Sequence, residues 1–240
     1  MRIGDENLVV VITPLNLRHR SFISHLEKNL IKVGAVLVDK SRPKSYLRSL
    51  CSLSGIVGPI LTAYEFFKLG ALSVRDIPVH SVNSLADSQI PEIVRRISPR
   101  LVIVYGGKVI PKSTLDRLGF PCINVHGSVL PGYRGLDSYW WSLVENNKDL
   151  RGYSIHFVDP GIDTGNLLIV KPYPPTDLSF PQHLYWRIWI SQDSAKEISK
   201  IIREGKETSL GSSHSRTASV YRSRIKLAHL LAAKSKFRLR

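Results

Sequence analysis

The chain of 240 residues is 43% hydrophobic and 22% charged, a balance that excludes fibrous and disordered classes and suits one α/β domain with an appendage. No apolar run approaches the roughly 20 residues a membrane span needs, and the opening MRIGDENLVVVITP lacks the basic start and small-residue cleavage site of a secretory signal, so a cytoplasmic protein with no membrane span is expected. Lys and Arg number 34 against 19 Asp and Glu, a net charge of +15, which favours anionic partners or reflects a solvated surface.

In chain order, Leu8 to Ile12 predicts a strand, after which Phe22, Ile23, Leu26, Leu30 and Val33 recur at helical spacing. A second strand is predicted at Ala35 to Val38, a helical stretch from Leu47 to Leu69, and a short strand at Pro78 to Val82. Ile90, Ile93, Val94 and Ile97 mark a helix ending at Ser98-Pro99, and Leu101 to Val104 reads as a buried strand. Strand, helix and strand in repeated order predict an α/β fold: a mostly parallel twisted sheet with helices on both faces and ligands at the carboxyl ends of the strands. The site is therefore expected just after Val104.

Cys122 to Val125 and Tyr153 to Val158 read as further strands that run into polar, glycine-containing loops, while Trp140 and Trp141 open a helix as core residues. Phe180, Leu184, Ile188, Ala195, Ile198 and Ile202 are spaced for a long closing helix ended by Gly205 or Gly211, with Tyr185, Trp186 and Trp189 forming a packing or homodimer face. A catalytic domain over 1–207 and a tail over 208–240 follow. The tail has no acidic residue and eight basic ones, Arg216, Arg222, Arg224, Lys226, Lys234, Lys236, Arg238 and Arg240, and Tyr221, Ile225, Ala228 and Leu231 are spaced for a weak amphipathic helix. Such a tail could bind nucleic acid.

Three segments carry the chemistry: YGGKVIP at Tyr105 to Pro111, INVHGSVLPGYRG at Ile123 to Gly135, and HFVDPGIDTG at His156 to Gly165. Asn124 and His126, two apart on a strand, share a face where an amide donor and an imidazole can converge on one oxygen. Asp163, between Gly161 and Gly165, could reach the same point from a neighbouring strand end. The sequence has no G-x-S-x-G elbow and no credible Cys–His pair, so an external nucleophile attacking a bound acyl donor suits these groups better than a covalent enzyme intermediate. Cys51 and Cys122 lie in apolar sequence that favours buried thiols, and no metal is expected.

With these residues in place, the sequence from about Pro99 to Val170 resembles the folate-dependent formyltransferase family. The family pattern of Asn-x-His, a Ser-Leu-Leu-Pro-like loop and Asp-x-Gly-x-Asp-x-Gly stands here as Asn124-Val125-His126, Ser128-Val129-Leu130-Pro131 and Asp159-Pro160-Gly161-Ile162-Asp163-Thr164-Gly165. The resemblance implies a Rossmann-like formyltransferase fold, 10-formyltetrahydrofolate as formyl donor and a primary amine as acceptor. It implies that His126 with Asn124 stabilises the developing oxyanion, and that Asp163 orients the groups and relays protons. Lys108, Val109 and Ile110 would line the pterin pocket with the loop that holds Val158, Asp159, Gly161 and Ile162. Asp159 also reads as ordinary turn chemistry.

The acceptor stays open. Thr13 to Arg20 contains no glycine, which argues against the phosphate loop of the glycinamide ribonucleotide enzymes, although Arg18, His19 and Arg20 at a helix start could bind an anion. Ser128, Tyr133 and Arg134 shape the loop, or Arg134 holds an acceptor phosphate. By the same resemblance, the extra domain of about 100 residues that methionyl-tRNA formyltransferases carry is not expected here. The leading acceptor is a nucleotide-linked amino sugar or a similar small anionic amine. The alternatives are methionyl-tRNA or glycinamide ribonucleotide formylation, a non-catalytic folate- or RNA-binding relative, and a 10-formyltetrahydrofolate hydrolase.

Overall fold

The computed structural model describes residues 6–41, 63, 67–69, 74, 76–173, 180–209, 211–213 and 220–222. Cys51 and most of the helical stretch predicted over Leu47 to Leu69 lie outside the described residues, though 63 and 67–69 are helical. The strands are β1 (Leu8–Ile12), β2 (Lys32–Asp39), β3 (Val79–Val82), β4 (Leu101–Tyr105), β5 (Cys122–His126), β6 (Tyr133–Gly135), β7 (Gly152–Phe157), β8 (Leu167–Pro172) and β9 (Val220–Arg222). The helices are α1 (Leu17–Lys28), α2 (Gln89–Ile97), α3 (Lys112–Leu118), α4 (Ser138–Val144) and α5 (Phe180–Arg203).

A seven-stranded sheet runs in the order β3-β2-β1-β4-β5-β7-β8. Its first five strands are mutually parallel, whereas β7 pairs antiparallel with β5 and β8. The unbroken apolar runs of β1 and β4 follow from burial on both faces. Val9, Val11, Leu101 and Ile103 point into one core, with Phe22, Ile23 and Leu26 of α1 and Ile198, Ile201 and Ile202 of α5. Val10, Ile12, Val102 and Val104 point into the other, with Ile90 and Val94 of α2 and Leu118 of α3. This three-layer arrangement is the predicted α/β, Rossmann-like class.

Val33, placed by spacing on the first helix, belongs to β2, where it pairs with Val9. The helix ends at Lys28, and Leu30 takes a left-handed turn (φ 65°) that leaves it 78% exposed. The chain thus reverses before the β-branched Val33 is reached. Trp186 is fully buried, stacked on Tyr173 at 5.1 Å and edge-on to Tyr139 at 4.2 Å. Trp189 packs on Tyr153 and Tyr173, so both tryptophans serve the chain's own packing; the side chain of Tyr185 lies outside the described residues. Tyr221, predicted on a helix, stands in β9, and the remaining tail positions Ile225, Ala228 and Leu231 lie outside the described residues. No described helix is long and apolar enough to cross a membrane.

Strand order reverses between β1 and β4, so the connections leaving those two strands diverge and open a crevice beyond their carboxyl ends. At its edge Gly106 after β4 packs against the start of α1: a Cβ there would stand 2.6 Å from His19 Nε2 and 3.4 Å from an Arg18 guanidinium nitrogen.

Candidate active site

The crevice is a cleft of about 570 Å³, within the range of about 300 to 1,000 Å³ that suits a small-molecule ligand. Its walls come from Tyr105 to Ile110 after β4, from the loop holding Val158, Asp159, Gly161, Ile162 and Asp163, and from Leu136 to Trp140. Asn124, His126 and His156 meet Asp163 at its floor.

Register explains the convergence. Asn124 on β5 sits opposite His156 on antiparallel β7, and the loop that follows β7 brings Asp163 within reach of both. Asn124 Nδ2 donates to His156 Nε2 at 3.1 Å and, more weakly, to Asp163 Oδ1 at 3.3 Å. His126 Nδ1 lies 3.4 Å from Asp163 Oδ2, and His156 Nε2 lies 3.4 Å from Asp163 Oδ1. The Gly135 N–H donates to Asp163 Oδ2 at 2.8 Å. Asp163 itself has φ 51°, a left-handed conformation that Asp tolerates better than most residues.

These contacts assign tautomers. His126 Nε2 faces the Tyr133 carbonyl at 2.8 Å, and a carbonyl only accepts, so Nε2 carries the proton. The neutral ring then turns the Nδ1 lone pair toward the cleft and Asp163. By the same argument His156 Nδ1 donates to the Phe157 carbonyl at 2.7 Å, leaving its Nε2 to accept from Asn124. Burial holds the His126 pKa below the ordinary imidazole value, partly offset by the Asp163 carboxylate. Burial alone would raise Asp163, but the charge of His126 in its protonated form, the contact with His156 and the Gly135 N–H hold its carboxyl well below the usual range. The pair at neutral pH is a neutral imidazole beside an ionised carboxylate.

Of the residues singled out in the sequence, Lys108, Val109, Ile110, Val158, Asp159, Gly161, Ile162 and Arg18 also line the cleft. Lys108 Nζ reaches Asp39 Oδ2 at 3.1 Å and the Ser41 carbonyl at 2.8 Å, so its charge is spent outside the floor. Asp159 accepts from the Gly161 N–H and the Thr164 hydroxyl, which makes it a turn residue. Arg20, Ser128, Tyr133 and Arg134 do not line the cleft. Arg20 Nε donates to the Leu15 carbonyl, Ser128 is buried on the Leu150 carbonyl, and the Tyr133 hydroxyl bonds Glu145. Arg134 lies in β6, alongside β9. Arg20, Ser128 and Tyr133 support the loops rather than the ligand space.

His156 and Arg187 line the cleft and carry no role in the sequence reading. His156 offered one signal: it is a polar residue inside the buried run of β7. Arg187 offered none, being one cation among many on a long helix. Arg187 and Arg18 are both close enough to act on His19, which is fully buried and whose pKa is lowered far below normal by that burial and by the two guanidiniums.

Comparison with known proteins agrees with this architecture. A methionyl-tRNA formyltransferase from Syntrophus aciditrophicus (strain SB) is 34% identical over 155 residues, 63% of this chain and 45% of that protein; the chain spans about half the length of the curated relatives it matches. A sugar N-formyltransferase from Shewanella sp FDAARGOS_354 superposes with a TM-score of 0.58 at 18% identity, covering 90% of this chain and 76% of that one. Glycinamide ribonucleotide transformylase 1 from Symbiobacterium toebii gives 0.58 at 16% identity, covering 85% of this chain and 92% of its own; at such identities these two share the fold. The family model described as formyl transferase matches residues 6–185, and the chain belongs to that family.

Proposed function

We propose that the chain transfers a formyl group from 10-formyltetrahydrofolate to the primary amine of a small anionic acceptor, with a nucleotide-linked amino sugar as first choice. The observation that carries this reading is the meeting of Asn124, His126 and Asp163 at the floor of a cleft whose walls suit a flat ring. Gly106 and Gly107 bring main chain to one side of that cleft, and Val104, Ile110, Val158 and Ile190 supply apolar surface.

The donor supplies an activated formyl carbon; the chain supplies orientation and proton transfer. His126 Nδ1 accepts a proton from the attacking amine, and the imidazolium so formed lies beside the Asp163 carboxylate. As an imidazolium it can also donate to the oxygen of the formyl group, which the neutral ring cannot do with Nε2 held by Tyr133. Asn124 releases its long contact to Asp163 and turns that N–H to the same oxygen, while His156 keeps hold of the other. A preorganised donor of this kind contributes about 3 to 4 kcal/mol in the transition state. The new C–N bond to the amine forms as the bond to the folate nitrogen breaks, and that nitrogen leaves with the proton carried by His126.

Arg18 and Arg187 at the cleft wall favour an acceptor with a negative group. Two N–H groups of the preceding loop are already committed, Thr13 to the Leu37 carbonyl and Asn16 to His19 Nδ1 at 3.2 Å, so anion binding falls to the side chains. The identity to methionyl-tRNA formyltransferase favours a second reading, in which the anionic acceptor is a charged tRNA. Incubation with formyl-labelled donor and three acceptors, an amino-sugar nucleotide, methionyl-tRNA and glycinamide ribonucleotide, separates them. Label on the amino sugar is expected; label on the tRNA alone would replace the first reading by the second.

A further inference from the structure

We propose that the strand returning after α5 is a positioning element of the active site: by pairing with β6, β9 fixes the two main-chain atoms that hold His126 and Asp163. The inference rests on the proposed formyl transfer for its kinetic readout only.

Both atoms lie on a three-residue strand. The Tyr133 carbonyl receives His126 Nε2 at 2.8 Å, and the Gly135 N–H donates to Asp163 Oδ2 at 2.8 Å. Main-chain groups of successive strand residues face opposite edges, so Tyr133 and Gly135 face the site and Arg134 faces the other way. Along that other edge runs β9, parallel, with Val220, Tyr221 and Arg222 in register with Tyr133, Arg134 and Gly135. The site-facing groups being taken, the ladder runs through Arg134, whose carbonyl accepts from the Arg222 N–H and whose N–H donates to the Val220 carbonyl. A three-residue strand with φ 94° at Gly135 has little intrinsic preference for this path.

The same stretch of chain ties down the other side of Asp163. Ser212 exchanges two main-chain hydrogen bonds with Leu167, each 2.7 Å, and Leu167 opens β8 just beyond the loop that presents Asp163. Ser212 therefore holds the strand that follows the Asp163 loop, while Val220–Arg222 hold the β6 strand that binds the carboxylate. Arg222 and Arg134 act as positioning residues through their main chain.

The test compares the full chain with Arg222→Pro, which deletes the donor to Arg134, and Arg222→Ala, which keeps it. In Arg222→Pro, amide exchange at Gly135 should rise about tenfold or more while the β4 amides stay protected, and the protected His126 Nε2 proton should be lost from the NMR spectrum. Turnover should fall about tenfold with the Michaelis constant for 10-formyltetrahydrofolate within about threefold. Arg222→Ala should restore both. Unchanged Gly135 exchange and an unchanged His126 signal in folded Arg222→Pro would overturn the proposal, as would equal damage by Arg222→Ala. Should Arg222→Pro not fold, the unsubstituted chain decides: the Gly135 and Arg222 amides should open with protection factors within about tenfold of each other, and a larger gap overturns the proposal. Absence of formyl transfer in the unsubstituted chain would end the enzymatic reading and leave the exchange result standing.

Discussion

Asp163 contacts Asn124, His126, His156 and Gly135 at once, so its charge has more partners than any other group on the cleft floor. Asp163→Asn preserves its shape and removes that charge. Turnover should drop by about 10² to 10⁴, with binding of 5-formyltetrahydrofolate measured by calorimetry changed by less than about threefold; equal losses in both would make Asp163 a folding residue. His156→Phe removes the closer of the two acceptors of Asn124, leaves only the longer contact to Asp163 and lets the amide swing. Steady-state kinetics should show turnover down about tenfold or more at an unchanged donor Michaelis constant. Because burial lowers the His126 pKa, the acid limb of kcat/KM should have its midpoint below about 6.5. A midpoint above that value would mean that the base is another group.

At the scale of elements, the loop between β7 and β8 is shaped by close approach. A Cβ at Gly165 would stand 1.9 Å from the Phe157 carbonyl oxygen, a main-chain atom with no room to move. Gly165→Ala should therefore destabilise the chain by about 1 to 3 kcal/mol and raise the donor Michaelis constant, because Val158 to Ile162 move with it; a denaturant midpoint equal to that of the unsubstituted chain would contradict this.

The sequence made some elements legible and hid others for physical reasons. β1 and β4 announce themselves as apolar, β-branched runs, and α2 by its spacing of Ile90, Ile93, Val94 and Ile97. β6 and β9 are too short to show a period. β8 is half-exposed, with Lys171 and Pro172 at its end, and lacks the buried pattern that marks its neighbours. Asn124 and His126 were readable from two-residue alternation and Asp163 from its flanking glycines. His156 depends on pairing across strands, which is tertiary information. Ser128, Tyr133 and Arg134 drew attention through their loop, and the fold uses Ser128 and Tyr133 to support it.

For the whole molecule, the +15 charge includes Arg18 and Arg187, which line the cleft, and eight basic residues after Thr208. Acid stability offers a global check. Burial is the largest cause of the lowered pKa values of His19, His25 and His126. For these groups the unfolded chain binds more protons than the folded one once pH falls below about 6.5, so their stability contribution is complete above that value and shrinks as pH drops toward the folded pKa values. Asp39, Asp163 and Glu197 are depressed instead, and their contributions are lost only below about pH 4. The urea midpoint should hence already be lower at pH 5 than at pH 7; equal midpoints would contradict the buried, neutral state of the histidines.

The most direct measurement is transfer of a ¹³C-formyl group from 10-formyltetrahydrofolate to an amino-sugar nucleotide, followed by NMR for the full chain and for Asp163→Asn. A formamide signal on the acceptor with the unsubstituted chain, reduced by about 10² or more with Asp163→Asn, is the predicted result. A folded chain that moves no label to that amine, to methionyl-tRNA or to glycinamide ribonucleotide would contradict it, and so would equal transfer by the two forms.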